Sequence, residues 1–292
     1  MCELFSDEDK TFHVENQNDV VMLWIGEKLP ILQQHSIKSL LLTNHNVNFY
    51  TYRDYPELEQ FKSFDNFNHG DANDIVHEDD IWTYKVSAHG KGSYAGFANH
   101  WRLIYLLKNG GTWVDSDVIA IRNVEDFGRN QIMIAAEILD KRNMKDKANN
   151  NLLSFPKNDF LIEEMEALCS EVKDNAKFGE TGPSSLRKHL RKFPIYQPCL
   201  LSYRAVCPVP SYNYKHYSTM TPEEVYKAND LNSDSVFGFH IWNTRFNHHN
   251  PRGTNLTDKL TPGSLYDCLE KAIQSSKNSD EYVTKLKEYK IR

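Results

Sequence analysis

Apolar positions along this chain fall into runs whose order is that of an α/β protein. Residues 20–25, Val-Val-Met-Leu-Trp-Ile, are continuously apolar and closed by Gly26, the pattern of a strand buried on both faces. Pro30 then opens a stretch with Ile31, Leu32, Ile37, Leu40 and Leu41 at helical spacing. Val47 to Tyr52 alternates as a strand, and strand, helix, strand begins a doubly wound sheet. Residues 60–92 are polar, with His69-Gly70-Asp71 and Glu78-Asp79-Asp80, and read as a solvated loop. Its end, His89 to Gly92, lacks the Gly-Lys-Ser/Thr of a phosphate loop. Tyr94 to Leu107 is helix-like and apolar on most faces. Asn109-Gly110-Gly111 stops it, and Thr112 to Ile121 reads as one strand.

The second half continues in kind. Ile132 to Glu137 reads as a buried strand and Lys141 to Asn150 as a polar loop over the site. Asp159 caps a helix running to about Lys173, and Pro183 opens another after Glu180-Thr-Gly. Val206 to Pro210 reads as a short edge segment. Val236 to Asn243 alternates, and residues 264–291 suggest one or two helices that end on Lys285, Lys287, Lys290 and Arg292. There is no repeat, low-complexity segment or clear linker, which predicts one domain with helical additions.

Composition narrows the function classes. The chain has 292 residues, 40% hydrophobic and 12% aromatic, enough for a substantial core. A net charge of −6 argues against a general nucleic-acid binder. The five cysteines, Cys2, Cys169, Cys199, Cys207 and Cys268, show no CxxC spacing, so neither a zinc site nor a disulfide framework is indicated. The start, MCELFSDEDK, has no apolar core of a signal peptide, and no stretch approaches 18 apolar residues. The expectation is a cytoplasmic protein without a transmembrane segment, whose basic C-terminal residues allow weak contact with an anionic membrane surface. One sequon, at Asn255, is expected by chance.

Chemistry concentrates at Asp115 and Asp117. If Thr112 to Ile121 is one strand, side chains at i and i+2 point the same way, so both carboxylates aim at one spot. Flanked by Trp113, Val114, Val118 and Ile119, they are acids in a buried strand, where unpaired carboxylates are unfavourable. A hard cation, Mn²⁺ or Mg²⁺, resolves this and bridges to phosphates. Asn99 and Arg102 are three residues apart and share a helix face. A buried Arg102 needs an anion, either a local carboxylate or a bound diphosphate.

The helix with Phe97, Asn99, Arg102, Leu106 and Leu107, the Gly110-Gly111 turn, Trp113, and Asp115-x-Asp117-Val118 together resemble glycosyltransferase family 32, the sugar-binding region with a DXD motif. The glucosyltransferase domains of large clostridial toxins are more distant relatives. The resemblance spans about residues 20–245. It implies an α/β, GT-A-like fold with a mostly parallel central sheet and helices on both sides. The nucleotide-binding core is then about 18–140, the acceptor and closing part about 141–262, and a helical segment about 263–292. It implies retaining transfer of a sugar from a UDP-sugar to a glycan hydroxyl, with Mn²⁺ or Mg²⁺ as cofactor. In that scheme Trp24 stacks on the uracil with backbone contacts from Ile25 and Gly26. Asp115 sits at ribose and metal, Asp117 on the metal, and Arg102 at the diphosphate. Asn99 reads the sugar, where the toxin relatives carry Asp. Asn151, one of three consecutive asparagines, lies beside the donor sugar. Trp242 and Asn243 close over the diphosphate, and His240 is a metal ligand. The Thr181-Gly-Pro segment lies near donor and acceptor, or is a helix start and nothing more. The alternatives are a catalytically inactive sugar-nucleotide or glycan binder and a metal-dependent phosphoryl-transfer enzyme.

Overall fold

The computed structural model describes residues 12–86, 91–139, 141–142, 144–248 and 260–292. Cys2, His89, Gly90 and Asn255 lie outside them. In chain order the elements are β1 (Asp19–Trp24), α1 (Ile31–Leu42), β2 (Asn46–Thr51), β3 (Phe67–Asp71), α2 (Ala95–Asn109), β4 (Gly111–Val114), β5 (Val118–Ala120), β6 (Met133–Glu137), β7 (Lys147–Phe155), α3 (Phe160–Val172), α4 (Pro183–Lys192), α5 (Tyr203–Val206), α6 (His216–Thr219), α7 (Pro222–Ala228), β8 (Gly238–His240), α8 (Asn243–His248), α9 (Leu265–Ser275) and α10 (Ser279–Glu288). Six strands form a mixed, mostly parallel sheet in the order β3-β2-β1-β4-β7-β6. β7 runs antiparallel to both neighbours. β5 and β8 form a separate antiparallel pair.

The continuous apolar run of β1 is explained by its two faces. Val20 and Met22 pack with Ile37, Leu40 and Leu41 of α1 on one side. Val21 and Leu23 pack with Phe97 and Trp101 of α2 and with Leu161 and Met165 of α3 on the other. Helices therefore cover both faces, as a buried parallel sheet requires. The β5–β8 pair supplies Ile119 and Phe239 to a further core with Leu265, Leu269, Tyr282 and Leu286 of the last two helices.

The Gly110-Gly111 turn does two jobs. Gly110 caps α2 at φ 69°, its N–H reaching Leu106 O, a left-handed conformation that glycine adopts without strain. Gly111, at φ 93°, passes so close to β1 that a Cβ would lie 3.0 Å from Asp19 O. The chain thus enters β4 beside β1, Thr112 opposite Val20, and delivers Asp115 at the carboxyl edge of the parallel strands, where ligands of open α/β sheets bind.

Four sequence expectations are corrected here. The 60–92 segment contains a strand, β3, paired in parallel with β2. The span 112–121 is two strands in two sheets, not one. Lys141 to Asn150 is not a loop throughout, since β7 begins at Lys147. Val206 to Pro210 is the end of α5 and a following loop instead of an edge strand. None of Cys169, Cys199, Cys207 and Cys268 is in a disulfide. No helix among the described residues is long and apolar enough to cross a membrane.

Candidate active site

Asp115 opens a tight turn and Asp117 lies within it, the turn being closed by Val118 N–H donating to Asp115 O at 3.1 Å. Convergence of the two carboxylates is therefore a property of this turn and not of strand alternation. The short β5 that follows pairs with β8, setting His240 opposite Val118. The result is a cluster in which Asp115, Asp117 and His240 each offer one ligand atom, all within 4.8 Å of one another.

Each member is held. Asp115 Oδ1 accepts from Arg102 Nη2 at 2.9 Å and from Trp113 Nε1 at 2.7 Å. Arg102 also donates to Asn150 O and lies 4.4 Å over the Trp113 ring. Its first partner is thus a local carboxylate, although it also walls the cavity described below. Asp117 Oδ1 lies 3.1 Å from His240 Nε2, and Oδ2 accepts from Asn243 N–H at 3.0 Å. Trp242, the residue before Asn243, takes φ 58°, rare for a bulky residue. Burial opposes the charge on Asp117. His240 and the Asn243 N–H outweigh it and hold the carboxyl below its ordinary value. Burial likewise opposes a charged His240, yet Asp117 raises its pKa well above the ordinary value.

Two cavities meet at these carboxylates. The first, about 450 Å³, is lined by Trp24, Ile25, Tyr94, Asn99, Arg102, Trp113, Asp115, Asp117, Asn243 and Thr244. The Trp24 indole donates to Lys28 O at 2.9 Å and lies against Gly26, where a Cβ would sit 3.0 Å from the ring. The second, about 870 Å³, shares Asn99, Asp115, Asp117 and Thr244 and adds Tyr84, Glu137, Asn149, Asn150, Phe178, His240 and Trp242. Trp242 Nε1 donates to Val209 O at 2.7 Å, and Trp242 lines the second cavity and not the first.

Asn99 links the cavities. Its Oδ1 accepts from Asn150 Nδ2 at 2.9 Å. Gly182 lies over this pair, and a Cβ there would come within 2.5 Å of Asn99 Nδ2 and 2.9 Å of Asn150 Nδ2. The glycine of Thr181-Gly-Pro is thus required by the amide pair beside it. Asn151 departs from expectation. It is fully buried and its Nδ2 donates to Cys207 Sγ at 3.0 Å, away from either cavity, while Asn149 and Asn150 line the second. The ladder of β7 with β6 is irregular here, its register shifting between the Ile134–Leu153 and Ala136–Ala148 pairs, so the Asn run does not follow simple strand alternation.

Sequence reasoning missed Glu137. It ends β6 at 6% exposure and is held by Arg187 Nη2 at 2.8 Å, with Arg187 Nε on Ala148 O. Its one signal is a charge closing an otherwise apolar run, Met-Ile-Ala-Ala-Glu.

No family model and no curated protein match this chain. Among solved structures, 47 chains match. The apo glycosyltransferase GlyE of Streptococcus pneumoniae TIGR4 is 12% identical over 95% of this chain and 65% of its own, with a TM-score of 0.47. The chain therefore spans just under two thirds of that GlyE chain. The PaToxG glycosyltransferase is 18% identical over 63% of this chain and 73% of its own, at 0.45. The ligand-free glycosyltransferase domain of the YGT toxin is 8% identical over 94% and 99%, at 0.43. The chemistry of the site rests on the distances above and not on these likenesses.

Proposed function

We propose that this chain is a metal-dependent glycosyltransferase of the family 32 kind, moving a sugar from a UDP-sugar to a hydroxyl of a glycan or glycoconjugate with retention. The observation that carries the reading is the meeting of Asp115, Asp117 and His240 where two cavities join. Two carboxylates and an imidazole suit a divalent cation, and the imidazole favours Mn²⁺ over Mg²⁺, which prefers oxygen alone. Bound there, the cation supplies Lewis-acid neutralisation of a leaving diphosphate.

The chain's own residues do the rest. Trp24, with backbone from Ile25 and Gly26, holds the base in the first cavity, and stacking on an indole contributes roughly 1–3 kcal/mol. Arg102 fixes Asp115 and adds fixed positive charge beside the diphosphate. Asn99 and Asn150 present amide groups to the sugar between the cavities. Glu137, kept in place by Arg187, accepts a hydrogen bond from the acceptor in the second cavity, beside the Trp242 indole. In the transfer the bond from the anomeric carbon to the phosphate oxygen breaks and one to the acceptor oxygen forms. The acceptor's proton passes to the departing phosphate oxygen on the same face, which keeps the configuration. Residues 18–140 serve as the nucleotide half and 141–262 as the acceptor half.

The test is a panel of UDP- and GDP-sugars incubated with enzyme and Mn²⁺, with the released sugar's anomer followed by NMR. Selective release from one UDP-sugar with retained configuration is expected. Hydrolysis of nucleotides irrespective of the sugar would instead establish phosphoryl transfer.

A further inference from the structure

His240 can act as a metal ligand through Nε2 only if that nitrogen carries no proton, which requires the ring's proton to be on Nδ1. Nε2 is the atom that faces Asp117, at 3.1 Å. Nδ1 faces inward, 3.8 Å from Cys207 Sγ, within reach of a hydrogen bond to sulfur. Cys207 is fully buried at the end of α5, its N–H donating to Tyr203 O at 2.9 Å, so the sulfur is fixed by backbone. Asn151 Nδ2 donates to the same sulfur at 3.0 Å. A cysteine sulfur has lone pairs that can accept these N–H groups. Asn151 serves both sides of the cluster, since its backbone O accepts from Asp115 N–H at 2.8 Å.

From this geometry we propose that Cys207, anchored by Asn151, is the positioning residue for His240: its sulfur accepts the Nδ1–H and directs Nε2 toward Asp115 and Asp117, so that Nε2 is the nitrogen offered to a metal. The inference rests on the metal site of the proposed function. Ligating histidines ordinarily donate their other N–H to an oxygen, and loss of that partner weakens metal binding roughly tenfold to a hundredfold. A thiol in this place is a weaker acceptor, so it tunes the site toward modest affinity.

The test is calorimetric titration of Mn²⁺, with and without UDP, into wild type, Cys207→Ala, Cys207→Ser and Asn151→Leu, with circular dichroism to confirm folding. Cys207→Ala is expected to bind Mn²⁺ roughly tenfold to a hundredfold more weakly. Cys207→Ser, which restores an acceptor, should recover most of the affinity, and Asn151→Leu should lose less than Cys207→Ala. Folded Cys207→Ala with wild-type affinity would overturn the inference, as would Cys207→Ser failing as badly as Cys207→Ala. Wild type that binds no Mn²⁺ under either condition would overturn the metal site itself.

Discussion

Arg102 offers the sharpest energetic test, because its side chain is 5% exposed and that of its partner Asp115 26% exposed. Arg102→Met keeps the length of the side chain and removes its charge. Breaking a buried pair from one side typically costs about 3–5 kcal/mol. Asp115 retains Trp113 Nε1 and some solvent, which points to the low end, about 3 kcal/mol. Stacking over Trp113 accounts for about 0.5–1 kcal/mol of the loss. Asp115→Asn alone strands the buried cation in turn. In Arg102→Met/Asp115→Asn neither charge is left over, so the double variant should be more stable than the sum of the singles by about 1.5–3 kcal/mol. Urea unfolding of the four proteins in EDTA at pH 7 measures this coupling. Losses that add within about 0.5 kcal/mol would refute the reasoning and leave Arg102 energetically uncoupled from Asp115.

Three further outcomes are expected. Trp24→Ala should weaken UDP binding roughly tenfold to a hundredfold, the equivalent of one lost stacking contact; unchanged affinity by calorimetry returns Trp24 to plain packing. Asn99→Asp replaces a group that donates and accepts with one that only accepts, so it should change the preference among UDP-hexoses and UDP-pentoses more than it changes UDP affinity; equal scaling across all donors removes Asn99 from the sugar. The third concerns pH. His240 is raised above its ordinary 6.5, so its contribution to metal-free stability is full below that value and lost as pH rises through the folded pKa. Asp117 is lowered below its ordinary 3.8, so its contribution is present above that value and lost as pH falls through the folded pKa. The stability advantage of wild type over His240→Gln should thus shrink from neutral toward alkaline pH, while Mn²⁺ affinity rises as the imidazole gives up its proton. An advantage that does not vary with pH contradicts the Asp117–His240 pairing.

How much of this was legible in the sequence depends on whether local or distant contacts decide each feature. β1, α1, β2 and α2 stand out because both faces of the sheet are buried and their apolar runs say so. β3 does not, because Phe-Asn-His-Gly-Asp is an edge strand with little buried surface. Gly70 within it is set by Tyr50 on the neighbouring strand, whose ring lies 2.4 Å from where a Cβ would be. Strand alternation is not what brings the two acids together. They meet through a turn, and only the pairing of β5 with β8 brings His240 to them. The facing of Asn150 and Asn151 goes with their distant partners, Asn99 and Cys207, which a run of identical residues cannot encode. Cys207 reads as one scattered cysteine until α5 sets it beneath His240.

The central claim is that Asp115, Asp117 and His240 bind a divalent cation that serves sugar transfer. It is tested most directly by UDP release from UDP-sugars by wild type and Asp117→Asn, each in EDTA and across a Mn²⁺ titration. Wild type should be silent in EDTA and active with Mn²⁺. Asp117→Asn, still folded, should be slower by on the order of a thousandfold or more, as loss of a direct ligand removes several kcal/mol of transition-state stabilisation. Turnover that survives EDTA, or near-normal turnover by Asp117→Asn in limiting Mn²⁺, would contradict it.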